Sequence, residues 1–145
     1  MHIYTIGFTQ KTARQFFTLL KNNQVDILID IRLNPNSQLA GFTKQENLPY
    51  LLEKLIQCEY RYEPGFAPTK ELLTVFRKDK DWGAYEDRYL RLLKERDIPQ
   101  TLDKSLYQNH HCCLLCSEPI ADSCHRRLAA EHIKQSWENV TIKHL

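Results

Sequence analysis

The stretch ILIDI, residues 27–31, decides the fold, because it is a nearly continuous run of β-branched and apolar residues. Such a run is typical of a strand that is covered on both faces, as in a parallel sheet. A first strand is predicted at IYTI, residues 3–6, and between the two lies a helical pattern with Ala13, Phe16 and Leu20 on one face. Strand, helix and strand within about thirty residues make one βαβ unit.

The rest of the chain continues this alternation. Further strands are predicted over residues 60–63, 111–116 and 140–145. Further helices are predicted over residues 48–57, 69–76 and 83–96. A last helix is predicted to begin at a cap, either Asp122 or Ser123, and to end at Trp137. Thr9 is the predicted cap of the first helix. The pattern favours one α/β domain over residues 1–145, a mostly parallel central sheet flanked by helices in a three-layer, doubly wound arrangement.

Composition and charge limit the classes of protein. The 145 residues suit one domain, and 42% hydrophobic with 26% charged residues indicate a globular chain. A net charge of +2 does not support nucleic-acid binding from bulk charge. The N-terminus lacks the pattern of a signal peptide, and no apolar run approaches the ~18–20 residues of a membrane span. With five cysteines, an odd number, the sequence predicts reduced thiols, a cytoplasmic location and no membrane partner.

Polar residues follow three of the predicted strands. Thr9 lies beyond the first strand, Asp30 and Arg32 end the second with Ser37 soon after, and Cys116 ends the third buried strand. Ligands of open parallel sheets gather beyond the carboxyl ends of the strands. The sequence therefore predicts that these residues converge on one rim of the sheet.

The strongest chemical signal follows that third buried strand. Cys116, Glu118, Cys124 and His125 lie within ten residues, and a strand end followed by a helix start can bring them together. Two thiolates, an imidazole and a carboxylate suit zinc or iron, whereas plain packing of the two cysteines stays an equal alternative. Cys113 has C-x-x-C spacing to Cys116, but residues three apart in a strand point to opposite faces, so this pair is discounted.

Basic residues at a helix start give a second signal. Arg126 and Arg127 fall in the first turn of the predicted last helix, where the helix dipole disfavours cations by a few tenths to about 1 kcal/mol each. Basic groups beside free backbone N–H groups suit a bound anion. The same field predicts a lowered pKa at Cys124, which makes it a candidate nucleophile or redox thiol with His125 or Glu118 as proton partner.

Motifs along nearly the whole chain carry a family resemblance. In order, they are IYTIG at 3–7 with Thr9, LIDIR at 28–32 with Pro35 and Ser37, then Phe42, Leu48 and Leu52, the pair Tyr85 and Tyr89, and LLCSE at 114–118 with CHR at 124–126. Together they resemble the domain of unknown function 488 family, and the last two pieces look like its C-x-E and C-H-R signature. The resemblance implies an α/β fold and a site at the residues of that signature, and it implies no reaction.

The chain departs from the family pattern at two places. The family commonly has His after the first Gly, where this chain has Phe8, so any role of that His is absent or moved. A Gly-Gly pair is usual in the middle loop, where this chain has only Gly65, which puts a close backbone approach to a ligand in doubt. The strand-Asp-x-Arg segment is faintly similar to that of rhodanese-type domains, but this chain lacks their glycine-rich catalytic loop.

Three functions fit these observations. The leading one is an enzyme acting on a small anionic, phosphorylated or nucleotide-like substrate. Its predicted catalytic groups are Cys116, Glu118, Cys124 and His125. Its predicted anion-binding groups are Thr9, Arg32, Ser37 and Arg126.

The alternatives use the same residues differently. One is a non-catalytic module that binds zinc, iron or a ligand through Cys116, Cys124 and His125. The other is a structural or interaction domain, in which Asp30 and the neighbouring charged groups Arg32, Glu118 and Arg126 form a buried ionic network. For Asp30 itself, a structural ion pair and a functional group both stay open. The sequence indicates neither the reaction nor the oligomeric state.

Overall fold

A parallel β-sheet forms the centre of the computed structural model, which describes residues 1–36 and 40–145. The strands are β1 (His2–Gly7), β2 (Ile27–Asp30), β3 (Glu59–Tyr62), β4 (Cys112–Cys116) and β5 (Thr141–His144). Their order across the sheet is β3-β2-β4-β1-β5, and all four pairings are parallel. Every residue of β2 is buried, as the ILIDI run predicts.

Six α-helices of the described residues flank this sheet. They are α1 (Ala13–Asn22), α2 (Leu48–Ile56), α3 (Lys70–Asp79), α4 (Trp82–Glu95), α5 (Lys104–Asn109) and α6 (His125–Ser136). Short 3-10 turns occur at Gly41–Thr43 and Pro64–Phe66. The α/β class and the parallel sheet are therefore confirmed.

The helices cover both faces of the sheet. On one face, α1 and α2 pack through buried residues that include Phe16, Leu20 and Leu52. On the other face, α3 to α6 pack through residues that include Tyr89 and Ile133. Each face thus has its own apolar core, as expected for a doubly wound sheet.

Strand β4 contributes to both cores because successive side chains of a strand point to opposite faces. Cys112 and Leu114 belong to the core under α3 to α6, whereas Cys113 and Leu115 belong to the core under α1 and α2. Cys113 is therefore a core residue, and it lies outside the group formed by Cys116 and its neighbours. That Cys113 and Cys116 do not share a metal stays a prediction, and these positions agree with it.

The connections after β1 and β4 leave the sheet in opposite directions. The two strands are neighbours, with Gly7 opposite Cys116. β1 continues into α1 on one face, and β4 continues into α6 on the other face. Such a reversal opens a crevice beyond the carboxyl ends of the strands, and this is where open parallel sheets bind ligands.

The two edge strands are polar on their outer surface. In β3, Glu59 and Arg61 are exposed, and in β5, Lys143 is exposed. No helix in the described ranges is both long and apolar enough to cross a bilayer.

Two helix starts differ from their prediction. The N-cap of α1 is Thr12, which forms a capping box with Gln15, and Thr9 is not the cap. Gln10, with a φ of 63°, turns the chain between Thr9 and the helix, which delays the start. The N-cap of α6 is Cys124, which makes no side-chain capping hydrogen bond, so neither Asp122 nor Ser123 caps this helix.

Candidate functional site

The ends of β1 and β4 approach each other unusually closely at the crevice. The backbone N–H of Thr9 donates to the carbonyl oxygen of Ser117 at 3.0 Å. A Cβ placed on Gly7 would lie 1.6 Å from the backbone oxygen of Glu118. Glycine is therefore required at position 7 by this contact, and not by a left-handed backbone conformation.

Two thiols and one imidazole meet just beyond β4. Cys116 is the last residue of β4, Cys124 precedes α6, and His125 is the first residue of α6. One potential ligand atom of each residue lies within 4.8 Å of the others, and all three residues are buried. The strand end and the helix start thus bring three of the predicted site residues together, as the sequence suggests. We call these three residues the thiol–imidazole cluster.

The His125 ring is held by contacts on both of its nitrogens. Nε2 lies 3.1 Å from the carbonyl oxygen of Ile31, which can only accept, so the Nε2 proton donates to it. In the neutral ring this leaves the Nδ1 lone pair facing Cys116, whose Sγ is 3.4 Å away. The ring also packs against Tyr89 in an edge-to-face arrangement, with 5.6 Å between ring centroids. The orientation of His125 is therefore fixed toward the thiols.

The two thiols of the cluster differ in acidity. Burial opposes ionisation of Cys116, but hydrogen bonds from the Cys124 thiol and from the backbone of Glu118 lower the pKa of Cys116 below its usual value. The charge of Arg126 acts in the same direction. Burial and the hydrogen bond to Cys116 raise the pKa of Cys124 well above its usual value. The predicted lowering of the Cys124 pKa is therefore wrong, because burial of the thiol is the largest influence on it.

Arg126 is the largest fully buried side chain, with 1% of its surface exposed. Its guanidinium donates to the carbonyl oxygens of Glu118 and Pro119 and approaches Cys124 Sγ at 3.4 Å. None of these partners is a carboxylate. Its Nε is the one buried side-chain nitrogen or oxygen atom of the described residues that has no hydrogen-bond partner. A buried cation with an unused donor is a marked exception among folded proteins.

Two basic groups that the sequence analysis did not single out lie in the field of Arg126. Burial, followed by the charge of Arg126, lowers the pKa of Lys11, and the same two causes lower the pKa of His144. Lys11 follows the end of β1, and His144 ends β5, where its Nδ1 lies 2.7 Å from Thr5 Oγ1. Both positions lie at carboxyl ends of strands, so the strand-end rule applied to every strand could have found them.

At the end of β2, Asp30 and Arg32 form a closed ionic network. Asp30 is fully buried and Arg32 is 2% exposed, and two hydrogen bonds of 2.6 and 2.8 Å join their side chains. Tyr60 donates its hydroxyl to Asp30 at 2.8 Å, and Arg32 also donates to the carbonyl oxygen of Thr43 at 2.6 Å. The charge of Arg32 is thus compensated inside the protein. An anion-binding role for Arg32 stays a prediction.

The remaining predicted residues are placed differently. The side chain of Glu118 is exposed, and only its backbone oxygen contacts Arg126, so no contact joins its carboxylate to the thiol–imidazole cluster. Thr9 reaches the β4 end through its backbone N–H. Ser37 lies outside the described residues. The catalytic role of Glu118 and the anion-binding roles of Thr9 and Ser37 stay predictions.

A doubly wound α/β architecture, with a buried thiol–imidazole cluster where β1 and β4 diverge, defines the class of protein. The chain belongs to the family described as Domain of unknown function DUF488, whose model matches residues 12–133. This confirms the resemblance to the family, while the C-x-E and C-H-R signature and the roles of its residues stay predictions. Comparison with curated proteins and with solved structures found no match.

Proposed function

We propose that this chain is an enzyme that binds a small anionic substrate against Arg126, next to the thiol–imidazole cluster. The observation that carries the proposal is the buried guanidinium without a carboxylate partner, whose Nε has no acceptor among the described residues. An unsatisfied buried donor costs about 1–3 kcal/mol, and more when the group is charged. A phosphate, sulfate or carboxylate group would supply both the acceptor and the missing negative charge.

Lys11 supports the same ligand chemistry. After burial, the charge of Arg126 is the second cause of the lowered pKa of Lys11, so the two positive charges oppose each other. A bound anion between two cations would turn this repulsion into attraction, and ligands of open parallel sheets bind where the connections of neighbouring strands diverge. A site of this kind favours phosphorylated or carboxylated molecules over neutral ones.

The neighbouring groups favour an enzyme over a purely structural role. In a structural ionic network, Arg126 would pair with the carboxylate of Glu118, but that carboxylate is exposed and only its backbone oxygen is used. The guanidinium lies 3.4 Å from Cys124 Sγ, so an anion on Arg126 would sit beside two thiols and an imidazole. These side chains provide proton-transfer, nucleophilic or metal-ligand chemistry at the position of the substrate.

Inorganic phosphate should stabilise the wild-type protein against heat, and Lys11→Ala should weaken this effect. Stabilisation by a ligand reaches about 2.7 kcal/mol at a hundred times its Kd. Loss of one charge-assisted contact weakens binding by about tenfold, because it removes roughly 1.4 kcal/mol. The measurement is the phosphate dependence of the thermal unfolding midpoint, repeated with sulfate and with a nucleoside monophosphate.

Arg14→Ala is the matched control, since Arg14 is an exposed basic residue of α1. It should leave the phosphate dependence unchanged. Arg126→Gln should abolish the dependence altogether, provided that circular dichroism shows a folded protein. The proposal is wrong if no anion raises the midpoint of the wild type, or if Lys11→Ala and Arg14→Ala respond alike.

A further inference from the structure

We infer that Cys116, Cys124 and His125 bind one soft divalent metal ion, zinc or ferrous iron. They are the one group of three potential metal ligands found in the described part of the chain, with ligand atoms within 4.8 Å of one another. In a tetrahedral site with Zn–S bonds of about 2.3 Å and Zn–N bonds of about 2.0 Å, ligand atoms lie roughly 3.5–3.8 Å apart. Cys116 Sγ and His125 Nδ1 are already 3.4 Å apart.

The His125 ring has the orientation that metal ligation requires. A ligating histidine almost always donates its other ring N–H to a carboxylate, a backbone carbonyl or water. Nε2 of His125 donates to the backbone oxygen of Ile31, which directs Nδ1 toward Cys116. The structure thus contains the outer hydrogen bond of a metal site together with the inner ligand.

The surroundings of the cluster thiols, Cys116 and Cys124, are those of metal ligands and not those of ordinary core residues. All five cysteines are unpaired and buried, and a buried cysteine commonly packs as a small apolar side chain. Cys58, Cys112 and Cys113 fit that description, because no such group of ligands within residues 1–36 and 40–145 includes them. Cys124, by contrast, lies 3.4 Å from the Arg126 guanidinium, which can donate to a metal-bound thiolate.

Thiolate and imidazole ligands determine the class of metal. Soft sulfur ligands select zinc or iron over magnesium and calcium, which prefer oxygen. Two thiolates neutralise the double charge of the ion, so the complete set can stay buried. Three protein ligands leave a fourth position for water or substrate, as in catalytic zinc sites. Only this last point rests on the proposed function, since the ligand set does not depend on anion binding.

The first test is metal content. Protein without an affinity tag, purified under reducing conditions, should carry about one zinc or iron ion per chain by elemental analysis. Cys116→Ala, Cys124→Ala and His125→Ala should each lose this ion. Cys113→Ala is the matched control, because Cys113 is equally buried in the same strand but faces the other core. It should keep the metal of the wild type.

A second test works without any variant. Wild-type protein stripped of metal and titrated with Co²⁺ should develop a thiolate-to-cobalt charge-transfer band and the intense visible bands of a tetrahedral site, saturating at about one equivalent. Absence of these bands together with absence of bound metal would overturn the inference. So would equal metal content in folded Cys116→Ala and Cys113→Ala, or a Cys116–Cys124 disulfide in protein kept under reducing conditions.

The metal site and the proposed function can be contradicted independently of each other. Lys11→Ala should keep the metal while its stabilisation by phosphate weakens, because Lys11 is not a member of the cluster. Metal-free wild-type protein that still responds to phosphate would overturn the metal site alone. Metal-bound protein that responds to no anion would overturn the proposed function alone.

Discussion

Gly7→Ala is expected to destabilise the protein by about 3 kcal/mol or more, the upper part of the range for overpacked interiors. The new Cβ would lie 1.6 Å from the backbone oxygen and 2.7 Å from the carbonyl carbon of Glu118. These are backbone atoms, so relief requires the segment after β4 to move away from β1. The measurement is the urea midpoint at unchanged slope.

Gly41→Ala is the control for this substitution, because a Cβ on Gly41 would meet no atom within 4 Å. Its free energy of unfolding should stay within about 0.5 kcal/mol of the wild type. A Gly7→Ala protein with the wild-type midpoint would show that the segment at Glu118 does not lie against β1. The residual metal content of Gly7→Ala gives a second readout, since a shift of this segment should disturb the adjoining Cys116.

Asp30→Asn is expected to reduce the free energy of unfolding by about 3–5 kcal/mol, because it leaves the buried Arg32 charge uncompensated. The substitution preserves the volume of the side chain but leaves one acceptor oxygen where two accept the 2.6 and 2.8 Å hydrogen bonds from Arg32. The amide N–H of the new Asn would also be a hydrogen-bond donor close to the donor groups of Arg32. Urea unfolding of the single variant measures the loss.

A double variant separates the effect of charge from that of shape. Asp30→Asn with Arg32→Gln removes both charges, so it should recover a large part of the loss caused by Asp30→Asn alone. Tyr60→Phe removes one hydrogen bond to Asp30 and should lose only about 1 kcal/mol. If Asp30→Asn proves as mild as Tyr60→Phe, the ion pair does not stabilise this end of β2.

The fold could be predicted because burial on both faces leaves a clear pattern in the sequence. The runs at 3–6, 27–31 and 111–116 contain mainly β-branched, apolar and sulfur-containing residues, and each became a strand of the sheet within one residue at either end. Polar residues between them cannot form a buried strand, so the boundaries are visible. The short strand β3 was also predicted one residue late.

Details that depend on the path of individual residues could not be predicted. Thr9 and Thr12 are equally good caps by residue type, and the turn at Gln10 decides between them. Helix α5, with six residues, is too short to show a clear apolar period, so the sequence does not predict it. The residue types near a helix start therefore do not decide which residue caps the helix or whether a short helix forms.

The candidate site is also predictable from the sequence only in part. A strand end followed by a helix start predicted that Cys116, Cys124 and His125 meet, because their separation along the chain is short. The direction of the Glu118 side chain depends on how the loop packs on Gly7, a contact across two strands. The proximity of Lys11 to Arg126 depends likewise on β1 lying next to β4, which the sequence does not reveal.

The polar side chains of the two edge strands affect how the protein can associate with other molecules. An edge strand with unpaired backbone groups is a template for strand addition by another molecule, and charged side chains oppose such growth. If a second sheet joined at either edge, it would cover exposed charged side chains or bring like charges together. These side chains are Glu59 and Arg61 on β3 and Lys143 on β5. The sheet is thereby protected against edge-to-edge aggregation at both of its ends.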